Sequence, residues 1–279
     1  MTTGDGVGDL AFARALAVRA GAILVDHYER LERIERKSAK DVVTEADRRS
    51  EALILDAIRA HAPGDGVLAE ESGAHPSAAG RSPTDGRGRV WVVDPLDGTV
   101  NYANGIPFFC VSIALVIDGQ PTVGVVHDPM RDETFAAEAG GPALLHDRAG
   151  PAGRPLAASA KEALGDFVVA LALSGRAVAT RVRAVRHAVR VSRDMGAAAL
   201  EIAYVAGGRF DAVVQSGGLS AWDIAASGLI AAQAGATVTD ASGGPWFDLR
   251  RSGQAHGIVA APPAHHAALL ALSRPRERS

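Results

Sequence analysis

At 279 residues, 47% of them hydrophobic and 22% charged, the chain can bury one large core or two smaller ones, and it is too apolar to be disordered. A formal net charge of −3 gives no ground for nucleic acid or an anionic membrane as partner, so any bound anion must be held locally, by metal or by backbone amides. The single cysteine, Cys110, excludes an intrachain disulfide, fits a reducing cytosol and sits in an apolar run that reads as core.

Leu10–Val25 is apolar but carries Arg14 and Arg19 and follows Asp5 and Asp9, so neither a secretory signal nor a membrane span is expected, and a cytoplasmic location is. Leu10, Ala13, Leu16, Ala17, Ala20, Ile23 and Leu24 keep helical spacing and predict a long amphipathic helix over Leu10–Arg36. Thr44, three residues before Asp47, is the signature of a capped second helix that runs through Ile58 and stops at Ala62-Pro63-Gly64. Val67–Ala69 is a brief strand leading into Glu70-Glu71-Ser72-Gly73, and Gly73–Arg89, rich in Gly, Pro and Ser, is expected to be a mobile surface loop.

Val90–Val93 is a buried strand that ends in Asp94-Pro95-Leu96-Asp97-Gly98-Thr99. Val111–Ile117 and Val123–His127 pair across the Asp118-Gly119 turn, and Thr134–Ala137 adds a strand. The turn-rich Asp147–Arg154 marks a boundary between an N-terminal α+β subdomain, residues 1–150, and a C-terminal α/β subdomain, residues 151–279. Beyond it lie a strand at Phe167–Leu173 and a helix at Val178–Arg193. That helix has Val182, Val185 and Val189 inside and Arg181, Arg183, Arg186 and Arg190 on a solvated face. A helix over Met195–Val205 starts at Gly196, followed by a strand at Phe210–Gln215 and a flexible Ser216-Gly217-Gly218. A helix opens at Ala221-Trp222-Asp223 and stops at Gly235. Short strands at Ala236–Thr239 and Ile258–Ala260 and a helix over Ala264–Leu272 complete the chain.

The chemistry concentrates at the tip of the Val90–Val93 strand. Two carboxylates, a carbonyl-rich turn and a hydroxyl are oxygen donors that suit a hard divalent cation. Pro95 stiffens the turn and Gly98 allows close approach of an oxyanion, with a helix starting near Thr99 offering free N–H groups. Each acidic group also has a plainer reading: Asp-Pro-Leu-Asp-Gly as a surface turn, Asp47 as a helix cap, Glu70-Glu71 as a solvated loop.

Five motifs in order carry a resemblance. They are Asp41-Val42-Val43-Thr44-Glu45-Ala46-Asp47; Glu70-Glu71-Ser72-Gly73; Trp91 to Tyr102; Gly124-Val125-Val126-His127-Asp128-Pro129; and Trp222-Asp223-Ile224-Ala225-Ala226 with Ala234-Gly235. Together they resemble the inositol monophosphatase family of Mg²⁺-dependent, lithium-sensitive phosphatases. The resemblance implies an α/β fold, a layered αβαβα sandwich of the sugar-phosphatase type, commonly a homodimer. It also implies hydrolysis of a small polyol monophosphate, inositol 1-phosphate by default, by metal-activated water. The same chemistry on histidinol phosphate, fructose 1,6-bisphosphate or 3′-phosphoadenosine 5′-phosphate is the alternative.

Carried over residue by residue, the resemblance implies two or three Mg²⁺ ions. Glu70, Asp94 and the Leu96 carbonyl would hold one, Asp94, Asp97 and Asp223 a second, and a weaker third would lie near Glu70. Thr99, paired with Asp47, would position the attacking water together with Glu70. The substrate would meet Asp97, Gly98, Thr99, Gly196, Ala197, Gln215 and Asp223. Gln215 stands where the family carries an acidic residue, and Gly196-Ala197 lacks the usual hydroxyl, so inositol is the weakest part of the implication.

Overall fold

The computed structural model of the chain describes residues 8–28, 34–36, 42–251 and 253–275. The N-terminal half holds α1 (Asp9–His27), β1 (Ile34–Arg36), β2 (Val42–Thr44), α2 (Glu45–His61), β3 (Gly66–Ala69), β4 (Gly73–His75), β5 (Arg89–Asp97) and α3 (Thr99–Ala103). It continues with β6 (Cys110–Ile117), β7 (Gln120–Asp128), β8 (Glu133–Glu138), β9 (Leu144–His146) and β10 (Arg154–Pro155). The remainder is β11 (Val168–Ala172), α4 (Val178–Ala188), β12 (Val191–Arg193), α5 (Ala198–Ala206), β13 (Ala212–Leu219), α6 (Ala221–Gln233), β14 (Thr237–Thr239), β15 (His256–Ala261) and α7 (Pro263–Ser273).

Two sheets organise these elements. One has eight strands in the order β10-β9-β8-β7-β6-β5-β3-β4, the other five in the order β12-β11-β13-β15-β14, while β1 and β2 form a separate pair. In the larger sheet β3 and β5 run parallel and the other pairs are antiparallel.

Strand alternation sorts side chains into layers. Trp91 and Val93 of β5, with Val111, Ile113 and Leu115 of β6, pack on Leu16, Ala20 and Leu24 of α1 and Ile54 and Ile58 of α2. Their neighbours Val90, Val92, Ala114 and Val116 face the other way, onto α5 and α6, which also receive Ala170, Val213, Ile258 and Ala260 of the smaller sheet. Val169, Leu171, Val214, Val259 and Ala261 point outward again, onto Val185 of α4 and Leu269 of α7. The layers are therefore helix, sheet, helix, sheet, helix. A helix wedged between two sheets is buried all round, and α5 (AALEIAYVA) and α6 (AWDIAASGLIAAQ) carry almost no charge for that reason.

Several expectations need correction. The first helix stops at His27, because Tyr28 turns extended, and Ile34–Arg36 is a strand paired with Val42–Thr44 rather than a continuing helix. Residues 29–33, and Asp41 of the first motif, lie outside the described residues. Gly73–Arg89 is not a plain loop, since Gly73–His75 pairs with β3 and Pro83–Asp85 forms a 3₁₀ turn. The helix expected over Val178–Arg193 ends at Ala188, and Val191–Arg193 adds a parallel strand beside Val168–Ala170, where β-branched residues are better placed. Its Arg181 is not on the solvated face. It is 6% exposed, with its guanidinium donating to the carbonyls of Ser174 and Ser273.

Gly196 sits at φ +75, which ends the turn before α5 rather than starting the helix. Ser216-Gly217-Gly218 is part of β13, where a bulge between Gln215 and Leu219 accommodates it. Asp94–Asp97 likewise extends β5 across an irregular register instead of leaving it as a free turn. Among the described residues no helix is long and apolar enough to cross a membrane.

Candidate active site

Ends of five elements meet in one cleft: the first turn of α2, the turn after β3, the end of β5 leading into α3, the start of α5 and the start of α6. Asp94 and Asp97 sit at the end of β5 and Asp223 in the first turn of α6, and one carboxylate oxygen from each lies within 4.8 Å of the others.

Each carboxylate is aimed by backbone amides. Asp94 Oδ1 accepts the Leu96 N–H at 3.0 Å. Asp97 accepts the N–H groups of Ala198, Ala199 and Leu200 at 3.2, 2.7 and 3.4 Å, so the open end of α5 is capped from another layer. The buried Cys110 thiol donates weakly to Asp97 Oδ2 at 3.6 Å. Asp223 Oδ2 accepts the Ser220 N–H at 2.7 Å and closes a capping box on α6. Glu70 joins them. Its N–H donates to the Val93 carbonyl at 3.1 Å, and its carboxyl is hydrogen-bonded to Asp94. The Glu71 N–H donates to Glu51 Oε2 at 2.9 Å, and the Ser50 hydroxyl donates to the Pro95 carbonyl at 2.9 Å, so α2 braces both acidic turns.

Burial pushes the Asp94 carboxyl well above the ordinary carboxylate range, and the charges of Glu70, Asp97 and Asp223 push it further. Burial and the Asp97 charge do the same to Asp223. Asp97 is also raised by burial, with the amides of Ala199 and Leu200 holding it back. Among the described residues no cationic side chain joins these mutually repelling oxygens, and such a set suits a hard divalent cation, which converts the repulsion into attraction. The residues present fit that ion.

Asp47 stands beside the cluster, fully buried, and burial raises its carboxyl to about 6 against the pull of the Thr44 hydroxyl and amide. It does close the capping box with Thr44 and it also faces Thr99, whose hydroxyl lies 3.3 Å from Asp47 Oδ1 and 3.0 Å from the Leu96 carbonyl. Gly98 precedes α3 at φ +91. A Cβ there would meet Ala197 Cβ at 2.9 Å and the Phe108 carbonyl at 3.0 Å, so only glycine fits.

The cleft opens into a cavity of about 230 Å³ lined by Asp97, Gly196, Ala197, Gln215 and Asp223 together with Asp194 and Glu201. The Gln215 amide donates to the Gly217 carbonyl at 3.4 Å inside the bulge of β13.

Two contributors escaped sequence reasoning. Asn101 donates to the carbonyls of Phe108 at 2.8 Å and Met195 at 2.7 Å, tying α3 to the turn before α5. Glu201 accepts the Met195 N–H from inside α5, and burial raises its carboxyl to about 7. The signal was present, since Glu201 is the one charged residue of an otherwise apolar nine-residue helix.

Comparison with known proteins points the same way. Residues 9–278 match the inositol monophosphatase family. The chain is 38% identical over 236 residues to an inositol-1-monophosphatase of Mesorhizobium japonicum, covering 82% of this chain and 84% of the relative. It is 34% identical over 235 residues to a fructose-1,6-bisphosphatase/inositol-1-monophosphatase of Thermotoga maritima, covering 84% and 85%. The crystal structure of the extragenic suppressor protein suhB from Bartonella henselae superposes with a TM-score of 0.83 at 32% identity, covering 95% of this chain and 98% of that one. The match runs through both sheets and every layer, and the chain belongs to the inositol monophosphatase family.

Proposed function

We propose that the protein is a Mg²⁺-dependent phosphatase that hydrolyses a small polyol monophosphate, inositol 1-phosphate first, to the free alcohol and inorganic phosphate. The observation that carries this is the meeting of Asp94, Asp97 and Asp223 within 4.8 Å, with Glu70 bonded to Asp94. Glu70, Asp94 and the Leu96 carbonyl would hold one ion and Asp94, Asp97 and Asp223 another. Bound Mg²⁺ supplies charge neutralisation of the phosphoryl oxygens and a lowered pKa for water.

The chain's own groups do the rest. The Thr99 hydroxyl, held between Asp47 and the Leu96 carbonyl, presents its oxygen as an acceptor for the attacking water. Asp47, raised to about 6, lies one hydroxyl away from that water and takes up a proton through Thr99. The Gly98 and Thr99 amides receive a phosphate oxygen beside the cluster, and the left-handed Gly98 leaves room for it. The alcohol portion lies in the cavity towards Gly196, Ala197 and Gln215. Gln215 both donates and accepts, so it recognises a hydroxyl less strongly than a carboxylate. The name of the Thermotoga relative supports fructose 1,6-bisphosphate as the second substrate to try.

The test is phosphate release with and without Mg²⁺ from inositol 1-phosphate, histidinol phosphate, fructose 1,6-bisphosphate and 3′-phosphoadenosine 5′-phosphate, with folded Asp94→Asn protein as control. A Mg²⁺-dependent rate on one of them, lost in the variant, supports the reading. Release from none of them by folded, Mg²⁺-binding protein overturns it.

A further inference from the structure

A second, partly open cavity lies in the outer helix layer. It lies between α4 and α7, measures about 540 Å³, and shares no lining residue with the acidic cleft. That volume is in the range of small-molecule sites, roughly 300–1,000 Å³. Arg176, Arg181, Arg183 and Arg274 line it with His187, and among the described residues no acidic side chain does. In a chain of net charge −3 this is a local reversal of sign.

The plain account of these arginines is a solvated helix face, and Arg186 and Arg190, exposed and outside the cavity, fit it. Arg181 does not. It is 6% exposed, its guanidinium donates to the Ser174 and Ser273 carbonyls, and among the described residues it has no ion-pair partner. A buried cation with only neutral partners leaves an uncompensated positive field on the wall it forms. Arg274 is in a similar state, with its Nε donating to the Ala241 carbonyl and no carboxylate paired with it among the described residues.

The start of α4 adds to that field. Ala177, the residue before this 11-residue helix, gives no side-chain cap, and Ala177 and Thr180 are on the cavity wall. Ala184, Leu272 and Pro275 supply an apolar flank.

The geometry points to a binding site for a small polyanion bearing a pair of phosphates. Arg176, Arg183 and Arg274 grip the phosphates over the start of α4, and Arg181 fixes the wall beneath. Guanidinium forks suit phosphate oxygens, and three from separate chain positions favour a linked pair over a single monoanion. The site is independent of the phosphatase reading, because the two cavities share no lining residue.

The test is isothermal titration of the full chain in EDTA with inorganic pyrophosphate, and separately with ADP. Without metal the acidic cleft repels both. One saturable site is expected in the wild type and in Asp223→Asn, weakened about tenfold or more when Arg176→Ser and Arg183→Ser are combined. Both of those arginines are exposed, so the fold is expected to survive, and circular dichroism checks it. Equal binding of the two probes assigns the site to the phosphate pair, and tighter binding of ADP adds the apolar flank; both support the proposal. No saturable heat in the wild type overturns it. So does a heat that is lost in Asp223→Asn and kept in the double arginine variant.

Discussion

The Thr99 hydroxyl sits between two acceptors, 3.3 Å from Asp47 Oδ1 and 3.0 Å from the Leu96 carbonyl, while Asp47 Oδ2 accepts the Thr44 N–H at 2.8 Å. One carboxylate therefore serves two neighbours, a helix cap on one side and the acidic cleft on the other. Substitution separates them. Asp47→Asn can keep an oxygen towards Thr44 but turns a donor towards Thr99, and its kcat is expected to fall about 100-fold with little change in Tm. Thr44→Ala removes cap contacts and leaves the Thr99 side alone, so it is expected to cost about 1 kcal/mol of stability and to keep most of the rate. Rates and melting temperatures of the two purified variants decide it. A rate loss in Asp47→Asn no larger than in Thr44→Ala makes Asp47 a cap only.

The Asp94, Asp97 and Asp223 cluster makes a prediction about stability as well as rate. Metal-free protein carries buried, repelling carboxylates, so adding Mg²⁺ stabilises it by mass action, about 2.7 kcal/mol at a hundredfold excess over Kd. For a chain of this length that is a rise in Tm of roughly 5 °C. Asp94→Asn removes one repelling charge, so in EDTA its Tm equals or exceeds that of the wild type, while the Mg²⁺ response disappears. Thermal scans in EDTA and in Mg²⁺ measure both. An Asp94→Asn protein that still gains stability from Mg²⁺ removes Asp94 from the ligand set.

The elements most legible in the sequence were those whose pattern is local. The Asp118-Gly119 hairpin, the Thr44 cap and the apolar α6 follow from turn chemistry, capping and composition, and the structure has all three. Element ends that depend on distant partners were not legible. Ile34–Arg36 keeps helical spacing with the residues before it, yet pairs with Val42–Thr44. Val191–Arg193 looks like the end of a helix until β11 offers it an edge. Arg181 sits at a surface position of its helix and is covered only because the end of α7 folds over it. The cleft shows the same division. Its acidic residues could be named from motifs, whereas Asp97 capping α5, 101 positions away, is a tertiary fact.

Gly98 is the tightest point of the cleft. Its φ of +91 disfavours any other residue, and an added Cβ would press on Ala197 and on the Phe108 carbonyl. Gly98→Ala is expected to cost about 2 kcal/mol or more, from strain in the left-handed backbone and from the overlap together. The displaced turn carries Asp97 and Thr99, so rate falls as well. Urea unfolding and phosphate release on the same sample measure the two effects. Stability within 0.5 kcal/mol of wild type, roughly the spread of harmless surface changes, overturns the packing argument.

His127 sets an acid limit on the fold. It is 3% exposed under α1, with its Nδ1 2.9 Å from the Thr134 hydroxyl, and burial lowers its pKa from 6.5 to about 4. The unfolded chain takes up the proton first as pH falls, so the contribution of neutral His127 is complete above 6.5 and is lost as pH drops towards 4. The whole window is worth on the order of 3 kcal/mol. His127→Gln can keep a bond to Thr134 without titrating, so its stability at pH 7.5 is lower but its decline between pH 6.5 and 4.5 is shallower than in the wild type. Urea unfolding at a series of pH values measures both slopes. Parallel curves for the two proteins would mean that His127 is not the group that titrates; the cleft carboxylates, raised by burial, take up protons more readily folded than unfolded and cannot supply an acid limit in its place.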